Sequence, residues 1–440
     1  MPMRREKELS PEDKMGELVA FCKRRGIVFQ SSEIYGGLTG FWDYGPLGVI
    51  LKKKISDHWW DSLVYRRDDV VGLDSSIITH PRVWEASGHV GCFHDLMVDC
   101  KQCKKRFRTD HLNGDKCPEC GGELTPPRQF NLMFQTHVGP SADSQSLTYL
   151  RPETAQSIFT NFKNILASSR LKLPFGVAQI GKAFRNEVTP RNFIFRSREF
   201  DQMEMEYFIN PRESKRWFDY WVQERFNWYI ELGIKKEHLR LRPHSKDELA
   251  HYAKECIDIE YNFPFGWKEL EGIADRGDFD LSQHINFSKK DLTYYNDDSK
   301  ERYVPAVIET SAGVDRTFLT VLVDAFHVEE LENGEERNLL SLNPKLAPVE
   351  VAVFPLVRKL REPTIKLAWE LRKEFKTFYD EKGAIGRLYR RQDEIGTPYC
   401  VTFDFQTLED NAVTVRDRDT MLQDRVSIDK LKDYLRERLT

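Results

Sequence analysis

Phe184-Arg185-Asn186-Glu187, a loop through Thr189-Pro190-Arg191-Asn192, and then Arg198-Glu199-Phe200-Asp201-Gln202-Met203-Glu204-Met205-Glu206-Tyr207-Phe208 form the stretch on which the fold turns. Val177 to Arg185 and Phe195 to Ile209 both alternate, which predicts two antiparallel strands joined by that loop. Alternation puts Met203, Met205, Tyr207 and Ile209 on one face, and Gln202, Glu204, Glu206 and Phe208 on the other. Carboxylates side by side on a central strand repel and lose hydration, so they need a cation, a hydrogen-bond network or a ligand. The plainer reading is the solvated face of an edge strand. Arg185 and Glu187 also alternate and point one way, with Arg191 and Arg196 at the ends of the loop. Arginine is a planar fork suited to phosphate oxygens. Phe200 either offers a flat surface to a purine or fills the core.

Downstream, Tyr303 to Glu309 reads as strand, Ser311-Ala312-Gly313 as a tight turn, and Val314 to Phe326 as a buried helix, apolar around most of its circumference. Arg316 on such a helix demands an anion, either a structural carboxylate (Asp315 or Glu309) or a ligand phosphate. The free N–H groups of the helix start lie beside it, and Gly313 permits close approach.

Around this centre, residues 12 to 24 and 47 to 65 read as amphipathic helices, with Lys52-Lys53-Lys54 as a solvated face, and Asp69 to Thr79 reads as strand. Short strands are predicted at Asn131 to Phe134 and Leu147 to Leu150, a helix at Glu153 to Lys163, and largely helical, charged chain over 211 to 255. Strands followed by helices favour an α+β fold with an antiparallel sheet over residues 10–340. Leu331 to Leu346 reads as polar linker. Beyond it, strands at Val349 to Phe354, Tyr399 to Asp404 and Ala412 to Arg416 alternate with helices at Thr364 to Phe378 and Ser427 to Leu439, marking a separate α/β domain over 347–440.

Two cysteine pairs, Cys100-Lys101-Gln102-Cys103 and Cys117-Pro118-Glu119-Cys120-Gly121-Gly122, lie in a Lys-, Gly- and Pro-rich insertion over residues 98–127. Two such knuckles form a zinc ribbon in which four thiolates close a structural Zn2+ site; His111 is an alternative to one sulfur. The neighbouring Lys101, Lys104, Lys105, Arg106 and Arg108 are either a solvated charge run or a contact for an RNA acceptor stem.

With 440 residues, 40% apolar and 31% charged, the chain has the composition of a globular protein of two or three domains. Its net charge of −4 gives no global pull on nucleic acid, so such a partner needs local basic patches. The charged N-terminus and the lack of a long apolar run point away from secretion and membranes, and the scattered Cys22, Cys92, Cys256 and Cys400 suit a reduced, cytoplasmic compartment.

Phe184-Arg185-Asn186-Glu187 with its return strand, and Gly313-Val314-Asp315-Arg316 in an apolar helix, resemble the second and third signature motifs of the class II aminoacyl-tRNA synthetases. Phe41 to Gly48, Trp84-Glu85-Ala86-Ser87-Gly88-His89, Arg151-Pro152-Glu153-Thr154-Ala155-Gln156, Arg198-Glu199-Phe200 and Glu271 to Arg276 resemble the homodimeric type of glycyl-tRNA synthetase, over almost the whole chain. The resemblance implies a class II antiparallel sheet flanked by helices, a C-terminal α/β domain that binds the anticodon, and a ligase that makes glycyl-adenylate and then glycyl-tRNA(Gly). ATP with Mg2+ would be bound by Arg185, Asn186, Glu187, Phe195, Arg196, Phe200, Glu269, Leu270, Gly313 and Arg316, of which Arg185, Glu187 and Arg316 carry the chemistry. Glycine would meet Arg82, Glu153, Phe200, Gln202, Glu204, Glu309, Ser311 and Gly313. Residues 47 to 79 would build much of a dimer interface, although Ser76 stands where the first class II motif usually has proline. A synthetase for another small amino acid, and a non-catalytic synthetase-like nucleic-acid scaffold, are the rival readings.

Overall fold

The computed structural model describes residues 5–439 apart from residues 8, 110, 111, 113, 144, 145, 251, 332 and 333; His111 therefore lies outside the described residues. After a two-residue strand at Arg5–Glu6 comes helix α1 (Pro11–Arg24), where the Ser10 side chain caps the amide of Asp13 ahead of Pro11. Helix α2 (Pro46–Trp60) follows Gly45 and packs its Gly48 onto the backbone of Ile27, where a Cβ would lie 1.9 Å from the Ile27 carbonyl oxygen. Then come strand β1 (Val70–Gly72), helix α3 (Ala155–Ser169), the long hairpin β2 (Phe175–Phe184) and β3 (Glu199–Ile209), helix α4 (Ser214–Glu231), and strands β4 (Leu239–Pro243), β5 (Glu255–Phe263) and β6 (Gly266–Gly277). Helix α5 (Phe279–Ser288), strand β7 (Ala306–Gly313) and helix α6 (Val314–Ala325) complete the centre.

These strands form one seven-stranded sheet in the order β4-β5-β6-β7-β3-β2-β1, antiparallel except for the β1–β2 pair. The hairpin forms as its alternation predicts, with Glu204 opposite Gln179 and Glu206 opposite Val177. Its Met203, Met205, Tyr207 and Ile209 are fully buried in the large core under α2, α4 and α6. The opposite face packs Phe208 against α3, and elsewhere carries the acidic side chains. Glu204 and Glu206 are 1% and 0% exposed on a central strand, which removes the solvated-edge reading.

Several expectations need correction. Residues 211 to 255 are helical only to Glu231; Leu239-Arg240-Leu241-Arg242 alternates into β4, its arginines paired with Glu260, Glu248 and Asp258. Ser311-Ala312-Gly313 is the end of β7 and not a turn: Gly313 has extended backbone (φ −89, ψ 126) and runs straight into α6. The Leu331 to Leu346 segment contains a strand, Glu336–Leu340, that pairs with Phe326–Glu330. Lys52 and Lys54 do not face solvent: Lys52 bridges Asp201 and Asp315, and Lys54 meets Glu350 at 2.7 Å. The strand after α2 shrinks to Val70–Gly72, and the one expected at Asn131 to Phe134 lies at Arg128–Asn131.

The C-terminal unit is a five-stranded mixed sheet with its own core around Val351, Val353, Val401, Val413 and Leu431. Its first helix ends at Arg372, so Thr377–Tyr379 is an edge strand where helix was expected, and helix Ile385–Ile395 and strand Gln423–Ser427 are additional. A buried network joins the two units: Arg337, 2% exposed, donates to Asp393, Glu329 and the carbonyl oxygen of Arg418, while Arg416 grips Asp393 with both terminal nitrogens.

Candidate active site

Side chains at paired positions of an antiparallel sheet share a face. The register therefore lines up Gln179, Glu204, Ser311, Gly272 and Asp258 in one row, and Val177, Glu206, Glu309, Ala274 and Cys256 in the next. Both rows lie on the face away from the main core.

The acidic end is tightly held. Glu204 accepts from the Thr154 amide at 2.8 Å, the Thr154 hydroxyl, Ser311 Oγ at 2.7 Å and Gln202 Nε2 at 2.9 Å, which fixes its direction. Glu309 accepts from Arg276 Nη1 at 3.0 Å, and Arg276 is itself clamped by both oxygens of Asp280. Glu153 faces His89 Nε2 at 3.2 Å and accepts from Gln156. Behind them both oxygens of Glu206 are buried without a hydrogen-bond partner. Arg276 is the guanidinium that bonds to this group, with buried Arg151 acting on Glu204 at longer range, so the carboxyls outnumber the cations around them. Burial, only partly opposed by Arg276, together with the charges of Glu204 and Glu153, pushes Glu309 up to about 7. Burial and Glu153 raise Glu204, and burial and Glu309 raise Glu206 well above the carboxylate range. Burial acts against Glu153 too, but His89 and Arg276 outweigh it and hold this carboxyl low. Carboxyls grouped in this way have the chemistry to receive a compact cation.

A few ångströms along the sheet the sign reverses. Arg185, Glu187, Phe195, Arg196, Phe200, Gln202, Glu269, Leu270, Ser311, Gly313 and Arg316 line one cavity. Arg185 donates from Nε to Pro152 O at 3.0 Å, lies between the rings of Phe93 and Phe200, and among the described residues pairs with no carboxylate. Arg196 grips Glu187 Oε2 at 2.6 Å. Arg316 is not buried as its helix suggests: its side chain is 28% exposed, sits over the Phe195 ring and meets Glu269 Oε2 at 3.1 Å. Neither expected structural partner holds it, because Asp315 is taken by Tyr44, Lys52 and the Asp201 amide, and Glu309 by Arg276. Arg316 in turn holds Glu269 below the usual carboxylate range. Gly313 keeps the wall flat, with a Cβ there only in ordinary contact with Arg316.

Most expected site residues thus converge, with Glu153 and Glu309 on the acidic side. Asn186 is not among the residues that line the cavity; its main-chain N–H donates to Leu132 O. Arg82 does not join them: it is exposed, donates to Phe287 O and borders a separate hollow with His80 and His284. Thr154, His89, Arg276 and Asp280 were missed as charge holders; the charged setting Glu271-Gly272-Ile273-Ala274-Asp275-Arg276-Gly277-Asp278 does not single out Arg276 as buried.

In the insertion, the four sulfurs of Cys100, Cys103, Cys117 and Cys120 all lie within 4.8 Å of one another. The Cys100–Cys120 and Cys103–Cys117 separations are 3.5 and 3.7 Å. Tetrahedral thiolates ~2.3 Å from zinc stand about 3.8 Å apart, so the donors fit Zn2+. The Cys103 amide points at Cys100 Sγ and pulls its thiol down to about 6. Lys101, Lys105, Arg106 and Arg108 pair with Glu123, Glu119, Asp99 and Asp95.

This sheet, with arginine forks and an acidic pocket on one face, is the core of a class II tRNA synthetase. Residues 138–325 match the family "tRNA synthetase class II core domain (G, H, P, S and T)" and residues 350–438 match "Anticodon binding domain". Proteins called glycine–tRNA ligase from Borreliella burgdorferi, Treponema denticola and Thermobifida fusca are 55%, 54% and 53% identical to it, covering 96%, 94% and 97% of this chain and 97%, 94% and 98% of their own. The chain belongs to the glycine–tRNA ligase family.

Proposed function

We propose that the protein joins glycine to ATP, releasing pyrophosphate, and then moves the glycyl group to the 3′ end of tRNA(Gly). The observation that carries this reading is that Gln202 and Ser311, which line the cavity with Arg185 and Arg316, also bond to Glu204, whose strand neighbours are Glu206 and Glu309, so the cationic cavity adjoins the carboxylate group. The glycine ammonium sits among the carboxylates, and its carboxylate attacks the α-phosphorus. A C–O–P link forms as the Pα–O–Pβ bond breaks and pyrophosphate leaves. No side-chain nucleophile is needed; positioning and charge stabilisation do the work. Arg185 faces the α-phosphate, Arg196 and Arg316 the outer phosphates, and Phe200 the adenine ring. Glu269, an exposed oxygen donor beside Arg316, would hold Mg2+, which when bound neutralises phosphate charge. In the second step a terminal tRNA hydroxyl attacks the glycyl carbonyl and AMP leaves.

Selection against alanine rests on Ser311, whose bond to Glu204 holds the floor of the pocket rigid. Zn2+ in the ribbon is structural on this reading, Arg358, Lys359 and Arg387 are candidate tRNA contacts, and the compartment is the cytoplasm. We also propose a homodimer through residues 47 to 79, whose Val49, Ile50, Tyr65 and Ile78 are exposed. Sedimentation of wild type against Ile50→Glu tests it, and a monomeric wild type refutes it.

The activity is tested by amino-acid-dependent exchange of pyrophosphate into ATP. Glycine supports exchange whereas alanine and serine do not; exchange with no amino acid leaves a non-catalytic scaffold. Arg185→Ala abolishes exchange while leaving the unfolding midpoint in place, and normal exchange by that variant removes Arg185 from the site.

A further inference from the structure

Beyond Gly272 the two cross-strand rows continue into a cluster that neither the nucleotide nor the ammonium end uses. Cys256 and Asp258 stand two apart on β5 and so share a face. His244 follows β4 directly, and its amide donates to Cys256 O at 3.0 Å, placing it alongside. One imidazole nitrogen, the thiol sulfur and a carboxylate oxygen of these three residues all lie within 4.8 Å of one another. His244 Nε2 is already 2.8 Å from Asp258 Oδ2. Asp258 is 5% exposed, and the other two are half-buried. Glycine at 272 keeps the wall open: a Cβ there would lie 3.8 Å from Asp258 Oδ1 and 4.0 Å from Glu269 Oε1, so the cluster borders the cavity wall.

We propose that His244, Cys256 and Asp258 form a second metal site, separate from the ribbon, for a borderline-soft divalent ion of the zinc and cobalt type with one coordination position left open. A mixed N, S and O donor set selects such ions, whereas Mg2+ asks for oxygen ligands alone. On binding, the proton that His244 Nε2 shares with Asp258 leaves to solvent and the imidazole keeps one on Nδ1, so that Nε2 gives its lone pair, Asp258 one oxygen, and the Cys256 thiol loses its proton to solvent so that the thiolate ligates. Thiolate and carboxylate together balance the ion's charge. Arg242 is the competitor, with Nη2 at 3.4 Å from Asp258 Oδ2. Its nearer partners are Glu248 at 3.0 Å and Glu260 at 3.1 Å, so it keeps two carboxylates when the ion takes Asp258.

The test is the stoichiometry of Co2+ bound by metal-stripped full-length protein, read by equilibrium dialysis and by the visible and thiolate charge-transfer absorption of cobalt. Wild type binds one equivalent more than Cys256→Ser and one more than His244→Ala, and Zn2+ displaces that equivalent while excess Mg2+ does not. Circular dichroism and the unfolding midpoint of each variant, with Asp258→Asn as a third, show that the fold is kept. Equal stoichiometry in wild type and Cys256→Ser overturns the site, whatever the ribbon binds. Loss in Cys256→Ser with no loss in His244→Ala overturns the three-donor assignment.

Discussion

Glu309 makes glycine binding depend on pH in a direction that can be worked out beforehand. Without ligand its carboxyl titrates at about 7, raised by burial and by Glu204 and Glu153 against the pull of Arg276. A bound ammonium requires the charged form, so glycine binding expels a proton and must strengthen as pH rises. Apparent affinity is reduced by the factor 1 + 10^(7 − pH), which is about 1.1 at pH 8, about 2 at pH 7 and about 11 at pH 6. The KM for glycine at saturating ATP should therefore rise about tenfold from pH 8 to pH 6, about 1.4 kcal/mol, with the steep part below pH 7. Glu204, raised in the same direction, adds to the slope. Glu309→Gln keeps the shape but removes the charge, costing roughly 2–4 kcal/mol of glycine binding at pH 8 and leaving a flatter profile. Exchange kinetics across pH give both numbers. Calorimetry in buffers of different ionisation enthalpy gives the proton count independently. A wild-type KM that is flat from pH 8 to pH 6, or an undiminished slope in Glu309→Gln, refutes the assignment.

Glu206, buried with both oxygens unpartnered, is raised well above the carboxylate range, so the folded state holds a proton that the unfolded state releases above about pH 4.5. Its penalty therefore grows with pH, and Glu206→Met should stabilise by about 1–3 kcal/mol at pH 8 and by less at pH 5, measured by urea unfolding. Gly48→Ala would drive a Cβ to within 1.9 Å of the Ile27 carbonyl oxygen, which backbone cannot evade cheaply; a loss of about 3 kcal/mol or more is expected in the same measurement. Breaking the buried Arg225–Glu271 pair by Arg225→Met leaves a carboxylate at 0% exposure and should cost about 3–5 kcal/mol, whereas the exposed Lys53–Asp57 pair should cost under about 1.

The hairpin was legible because strict alternation leaves no other element that buries Met203, Met205 and Tyr207 together. Helices α1 and α2 were legible from the apolar spacing over residues 12 to 24 and 47 to 65. What failed was charge. Arg337 was read as part of a solvated linker, and Lys52 and Lys54 as a solvated face, because their anions lie far away along the chain and no spacing rule reaches them. Arg276 was hidden only in part by distance: Glu309 lies 33 residues on, but Asp280 is four residues away and escaped notice because the strand-to-helix junction between them was not foreseen. Ser311-Ala312-Gly313 misled for a different reason: residues chosen to leave space in a cavity have the composition of a turn. Arg316 was found, but its setting was not, since a helix buried on nearly every side still opens one position onto the cavity.

The clasp of Arg337, Asp393 and Arg416 has a further consequence. Buried ion pairs of this kind do not slide, because any displacement strands a charge in a dry medium. The clasp therefore opposes changes in the span from the cavity to the far sheet, in the manner of a caliper, and a nucleic acid that engaged both ends would have to supply the matching length itself. Discrimination among RNAs can then begin with overall dimension, before a single base is inspected.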